Sequence, residues 1–125
     1  MLAPDATSDP AADLVAFIGR RRFKTILADP PWQFTNRTGK MAPEHRRLSR
    51  YRTMSLDEIR GLPISLIAAD PAHLYLWVPN ALLPEGLAVM AAWGFAYKSN
   101  IIWRKVRKDE WPRRTWSRVL FSQRY

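Results

Sequence analysis

An acidic residue, two prolines and a tryptophan follow one another at Asp29, Pro30, Pro31 and Trp32, directly after an apolar run. Proline has no backbone N–H and a fixed φ, so the carbonyls here can face a ligand without competing donors. A carboxylate, a bare carbonyl and an aromatic face together suit the exocyclic amine of a nucleobase held out of its stack. Hydrogen bonds from the amine to Asp29 and to a proline carbonyl would aim its lone pair at an electrophile. The alternative is a stiffened turn with Trp32 in the core.

The segments that must position these residues alternate between strand and helix patterns. Ser55, with Glu58 three residues later, has the pattern of a capping box at a helix start. Strands are expected over residues 23–28, 72–78 and 95–103, and helices over 13–19, from 55 onward and over 82–93. This order predicts an α/β fold with a mostly parallel sheet. Asp29 would then lie at the carboxyl end of a strand, where such sheets bind ligands.

The charge of the chain points to a polyanionic partner. The 125 residues have a formal net charge of +9, and the sequence pI is about 10.7. Nucleic acid is the commonest such partner, and a basic protein without one is the alternative. The expected loop at residues 33–53 concentrates the charge against a single acid, with basic side chains at Arg37, Lys40, Arg46, Arg47, Arg50 and Arg52. These side chains would contact phosphates, or else form an ordinary solvated loop.

Other classes of protein are disfavoured by composition. There is no cysteine, which excludes disulfides and thiolate metal sites, and no metal site is expected. The apolar runs are short and interrupted, so no membrane span is expected. The acidic N-terminus lacks the basic region of a signal peptide, and a cytoplasmic protein is expected. His73 has no arrangement of metal partners around it and is interpreted as structural.

Five collinear blocks resemble the MT-A70 family of S-adenosylmethionine-dependent methyltransferases, which act on the exocyclic amine of adenine in DNA or RNA. The blocks are A-D-P-P-W at 28–32, Y-R-T-M-S-L-D-E-I at 51–59, H-L-Y-L-W-V-P-N at 73–80, W-G-F at 93–95 and N-I-I-W-R-K at 100–105. The short loops are similar to the bacterial and phage branch. The resemblance implies a Rossmann-like fold, S-adenosylmethionine as cofactor, and nucleic acid, with DNA preferred, as substrate. The oligomeric state is left open.

The resemblance also implies roles for individual residues. Residues 29–32 match the catalytic motif, and Asp29 would in addition contact the methyl donor. Tyr51 matches an aromatic residue that contacts the target adenine, or else it anchors a loop. Trp77 would flank the same pocket, with a core position as the alternative. Lys105 matches a lysine near the carboxylate of the donor, unless it is simply solvated.

The resemblance covers residues 22–109, which are assigned to the N-terminal part of a methyltransferase domain, after a flexible leader and short helix at 1–21. Residues 110–125 have no clear periodicity, whereas the family continues with a glycine-rich loop and further strands. Reading Trp111-Pro112 and Trp116-Ser117 one nucleotide later yields glycine at each pair. This predicts that the tail is a frameshift product and that the C-terminal part of the fold is missing. A genuine variant with its own basic tail is the alternative.

Two functions from different classes follow. The first is an adenine methyltransferase that acts on nucleic acid, with DNA implied as the substrate by the resemblance. This chain would be an inactive fragment of it, because most of the donor site would lie in the missing strands. The second is a non-catalytic nucleic-acid-binding module that uses the basic loop at 37–52. A basic α/β domain with a small-molecule substrate is a third, more general possibility.

Overall fold

The structure is a computed structural model that describes residues 8–34, 52–104 and 116–124. The helices are α1 (Pro10–Ile18), α2 (Leu56–Arg60), α3 (Ile64–Ile67) and α4 (Leu83–Ala92), with a 3-10 turn at Asn80–Leu82 before α4. The strands are β1 (Phe23–Ala28), β2 (Ala68–Pro79), β3 (Ala96–Arg104) and β4 (Trp116–Arg124). The elements expected before residue 105 are all present: β1 has the expected boundaries, and the others are shifted by at most four residues.

The four strands form one sheet in the order β1-β2-β4-β3. β1 pairs parallel with β2, and Ala28 lies opposite Leu76. β4 pairs antiparallel with β2 on one side and with β3 on the other, so β1, β2 and β3 all run in the same direction. The expectation of a mostly parallel sheet is therefore wrong, because β1–β2 is the single parallel pair among these strands and β4 separates β2 from β3.

β4 follows β3 along the chain and is also its neighbour in the sheet. This strand lies in the tail, for which no element is predicted from the sequence, and residues 105–115 separate it from β3. A parallel return to the same sheet needs a crossover of about a dozen residues or more, usually through a helix. The connection from β3 to β4 is close to this minimum, and the observed return is antiparallel. By contrast, β2 and β3 are joined through α4, which is long enough for a crossover.

The core lies on one face of the sheet. Alternate side chains of β2 are almost completely buried, at Ala72, Leu74, Leu76 and Val78. α4 packs against them with Val89 and Met90, which are also buried. Trp93 follows α4, is 1% exposed, and donates its indole N–H to the carbonyl of Ile59 over 3.0 Å. This bond joins the end of α4 to α2 and satisfies a donor that would otherwise be buried alone.

Local signals in the sequence account for the helix ends. The capping box is confirmed: Ser55 Oγ accepts from the backbone N–H of Glu58, and Glu58 Oε2 accepts from the backbone N–H of Ser55. Gly94 has φ of +82°, a left-handed conformation that glycine adopts without a steric penalty, and it ends the α4 segment as expected. None of the helices in the described ranges has the length and apolar character needed to cross a bilayer.

Gly86 sets how closely α4 approaches the sheet. A Cβ atom at Gly86 would lie 2.6 Å from both Cγ atoms of Val78, which is far inside van der Waals contact. Valine is stiff at χ1, so Val78 cannot rotate away easily. The helix therefore packs directly on β2 only because residue 86 has no side chain.

We expect Gly86→Ala to lower the free energy of unfolding by about 1–3 kcal/mol, because overpacking outweighs the gain in helix propensity. Equilibrium urea unfolding measures this. Adding Val78→Ala should make room for the new methyl group, so the double variant should lose less than the two single variants combined. A stability of Gly86→Ala equal to that of the parent would contradict the close approach of α4 to β2.

Ser55→Ala removes the hydroxyl that caps α2 and should cost about 1 kcal/mol of stability. The matched control is Ser65→Ala, since Ser65 is exposed in α3. Thermal unfolding followed by circular dichroism should show a lower Tm for Ser55→Ala than for the control. Equal Tm values for the two variants would show that the capping box does not stabilise this fold.

Candidate active site at the carboxyl end of the sheet

The Asp29–Trp32 corner lies where β1 ends beside the end of β2. Asp29 is exposed directly after Ala28, Pro30 is buried, and Pro31 is exposed. The Pro30 carbonyl accepts a hydrogen bond from the backbone N–H of Trp32 over 2.9 Å, and the Pro31 carbonyl accepts from that of Met54 over 2.9 Å. The expectation of bare proline carbonyls is therefore wrong. Each carbonyl retains only its second lone pair for a ligand.

Trp32 anchors this corner instead of offering an open ring face. The residue is 7% exposed and belongs to the core cluster. Its indole N–H donates to the backbone carbonyl of Trp77 over 2.9 Å, and its backbone forms a parallel bridge with Met54. The structure thus places Trp32 as the alternative interpretation predicts, in the core. The turn at Pro30 and Pro31 places the Trp32 ring against the end of β2, while Asp29 is exposed at the surface.

Asp29 shares a pocket with two tryptophans. A hollow of about 410 Å³ is lined by Asp29, Trp32, Trp77, Val78, Pro79 and Trp103. The Trp77 and Trp103 rings meet edge to face, with centroids 5.6 Å apart and an interplanar angle of 67°. Their position at the ends of β2 and β3, beside the end of β1, follows from the common direction of these strands. The pocket therefore combines one exposed carboxylate with indole walls.

A second hollow also borders Asp29. It has a volume of about 450 Å³ and is lined by Asp29, Pro30, Pro31, Trp32, Phe34, Thr53 and Pro79. Because both hollows share Asp29, Trp32 and Pro79, ligands bound in the two hollows would both lie beside Asp29. Two reactants brought together at one carboxylate is the arrangement that a transfer reaction requires.

A third hollow, of about 380 Å³, lies behind Trp32 against α2 and the start of α4. Its polar lining includes Gln33, Ser55, Asp57 and Glu85. Glu85 Oε2 is buried and has no hydrogen-bond partner in the described part of the chain. Glu85 lies in the first turn of α4, where the helix dipole favours a negative charge.

Trp103 is a site residue that sequence reasoning did not assign. It was expected only as the end of a strand, yet it is 56% exposed and lines the Asp29 pocket. A large ring at the last apolar position before the basic run Arg104-Lys105 was the available signal. Trp77 lines the same hollow as Asp29, and its expected role beside the target adenine stays a prediction.

Several predicted site residues lie outside the described residues, namely Tyr51, Arg46, Arg47, Arg50 and Lys105. Arg52 is described and exposed. His73 is exposed near the middle of β2 and does not line the hollows that border Asp29. Across residues 8–34, 52–104 and 116–124, no group of three His, Cys, Asp or Glu side chains could hold a metal ion.

The chain is similar to two characterised methyltransferase proteins. It is 26% identical over 116 residues to the type II methyltransferase M.MunI of Mycoplasma sp, an alignment that covers 78% of this chain and 48% of that protein. It is 35% identical over 90 residues to the N6-adenosine-methyltransferase non-catalytic subunit MTB of Arabidopsis thaliana, covering 70% of this chain and 11% of the subunit. The chain thus spans about half the length of the first relative and a smaller share of the second.

A family profile matches most of the chain. The MT-A70 profile aligns with residues 23–123, from the start of β1 into β4. The match includes residues 110–123, which the sequence reading placed outside the family. Whether these residues are encoded out of frame is not tested by the match and stays a prediction. With the profile covering well over half of its residues, the chain belongs to the MT-A70 family.

Proposed function

We propose that the Asp29 corner is the acceptor site of a methyltransferase acting on the exocyclic amine of adenine in nucleic acid. S-adenosylmethionine is the proposed donor, and DNA is the proposed polymer because the sequence blocks resemble the bacterial and phage branch. A Rossmann-like domain is proposed for the whole protein. Family membership and the Mycoplasma type II methyltransferase support the reaction class.

The observation that carries this proposal is the exposed Asp29, which lines two hollows. An ionised carboxylate only accepts hydrogen bonds, and an adenine amine offers two N–H donors. Accepting one of them would orient the amine and hold its nitrogen lone pair toward the neighbouring hollow. The second N–H of the amine can donate to the remaining lone pair of the Pro30 carbonyl. Since Asp29 is exposed, the proton that the amine loses can pass to water.

The residues present also fit the chemistry of the donor. S-adenosylmethionine supplies an electrophilic methyl group on a positively charged sulfur when it is bound. Asp29 provides a negative charge, and the faces of Trp77 and Trp103 attract cations through their ring quadrupoles. Indole rings also offer surfaces on which an adenine can stack. Asp29, Trp77 and Trp103 would therefore hold the donor in the hollow of about 410 Å³ that they line.

A second candidate function is a non-catalytic nucleic-acid-binding module. The observation that favours it is the resemblance to the Arabidopsis subunit, which is described as non-catalytic. The net charge of +9 would support binding without catalysis. In this case the Asp29 corner would serve as a structural anchor, and the basic residues at 37–52 would contribute most of the affinity.

We expect this chain to bind a single-stranded DNA that contains one adenine about tenfold more tightly than the same strand with purine in its place. Purine lacks the exocyclic amine, so the difference reports the hydrogen bond to Asp29, worth about 1.5 kcal/mol. Asp29→Ala should abolish the preference. Fluorescence anisotropy with the two oligonucleotides measures it without requiring methyl transfer.

The matched control is Asp57→Ala, which removes an exposed carboxylate from the third hollow and should leave the preference intact. A preference that survives Asp29→Ala would remove Asp29 from amine recognition and favour the non-catalytic module. Methylation of adenine, assayed with radiolabelled S-adenosylmethionine, should be absent in Asp29→Ala whenever the parent protein shows it.

The basic residues are tested by salt dependence. If Arg46, Arg47 and Arg50 contact phosphates, each replacement by glutamine should reduce the slope of log K against log salt concentration by about 0.7–0.9. Lys24→Gln, a change of a cation on β1, is the control. An unchanged slope in all three arginine variants would exclude these residues from the interface with nucleic acid.

A further inference from the structure

The third hollow contains a carboxylate oxygen without a hydrogen-bond donor. Glu85 is partly buried in the first turn of α4, and its Oε2 atom is buried with no partner in the described part of the chain. Burying a carboxylate oxygen is costly unless a donor reaches it. Because an ionised carboxylate only accepts hydrogen bonds, a ligand that satisfies Glu85 must bring an N–H or O–H group.

The lining of this hollow favours a flat, apolar-faced ligand with N–H groups over a phosphate. None of the described residues that line it is basic, although the chain has a net charge of +9. The carboxylates of Asp57 and Glu85 would repel a phosphate. The remaining walls are largely apolar, with Trp32, Met54, Leu56, Ile59 and Leu82. A nucleobase combines apolar faces with N–H groups at its edge and therefore fits this lining.

The third hollow adjoins the hollow of about 450 Å³ that borders Asp29. Trp32 lines both of them, Thr53 lines only the larger one, and Ser55 lines only the third. Asp29 does not line the third hollow, so a base bound there would not present its amine to Asp29. The occupant that a nucleic-acid substrate can supply at this place is a base next to the target in the same strand.

We propose that the third hollow binds the nucleobase adjacent to the target adenine, and that Glu85 selects a base with an exocyclic amine at that position. The inference rests on the proposed function for the target, and it deepens that function by adding a sequence preference beside the target. Adenine, cytosine and guanine carry such an amine. Thymine and uracil present carbonyl oxygens in its place, which a carboxylate repels. Acceptance of a cytosine amine by a carboxylate is a known form of base recognition.

The test uses single-stranded oligodeoxyuridylates that contain one adenine. A cytosine replaces the uracil immediately before the adenine, immediately after it, or at neither position. Cytosine and uracil have the same size but differ in the amine. We expect one of the two cytosine strands to bind about tenfold more tightly than the strand without cytosine, as measured by fluorescence anisotropy. The effect should appear on one side of the adenine because a strand has a direction.

Two variants with matched changes of charge assign the preference to Glu85. Glu85→Gln keeps the shape of the side chain, but its amide can either accept from cytosine or donate to uracil. The preference should therefore fall below about twofold. Asp13→Asn is the control, because it removes a negative charge from the first turn of a different helix, α1. It should bind the strands like the parent, and circular dichroism verifies that both variants are folded.

Heteronuclear NMR of the parent chain gives a second measurement that needs no variant. Deoxycytidine should shift the backbone amide resonances of Ser55 and Glu85, and deoxyuridine should shift them much less. Equal affinity for the cytosine and uracil strands at both positions overturns the inference. A cytosine preference that Glu85→Gln retains also overturns it, since the amine would then be bound elsewhere.

These readouts separate base selection by Glu85 from the proposed reaction. A cytosine preference that depends on Glu85, combined with no preference for adenine over purine in the parent, would retain base selection and reject amine recognition by Asp29. An adenine preference that depends on Asp29, combined with no cytosine preference, would retain the proposed function and overturn base selection by Glu85.

Discussion

The hydrogen bond from the Trp32 indole to the Trp77 carbonyl connects the two strand ends on which the site depends. It joins the segment after β1 to the end of β2, and the Met54–Pro31 backbone bond ties the start of the α2 region to the same point. A buried indole N–H without this acceptor would cost about 1–3 kcal/mol. The Trp32 ring is thus held in the core, while Asp29, three residues earlier, is exposed.

The alternation of side chains along β2 separates a sheet face that is packed against α4 from a face that is not. Successive residues of a strand point to opposite faces, so Leu74 and Leu76 are buried under α4 while Tyr75 and Trp77 face away from it. The first set contributes to the core. In the second set, Trp77 lines the Asp29 pocket. One strand therefore couples the stability of the fold to the position of the candidate site.

Part of the fold could be predicted from the sequence, because some of its interactions join residues that are close together in the chain. The capping hydroxyl of Ser55 and the left-handed glycine at Gly94 act over a few residues, and both features are visible in the sequence. The exposure of Asp29 follows from an acid placed after a half-buried strand. The burial of Trp32 was not decided locally, since the same ring could face solvent or core. Its acceptor is 45 residues away in the chain, and only folding brings the two together.

Residue types and their order determined the strand and helix pattern before Arg104, the positive charge, and the presence of a carboxylate beside two prolines. Tertiary structure alone decided the direction of β4, the occupation of both proline carbonyls, and the meeting of Trp77 with Trp103 beside Asp29. The physical reason is that propensities and caps act between near neighbours, whereas strand pairing and pocket formation join residues far apart in sequence. Such long-range contacts depend on the register and order of the whole sheet.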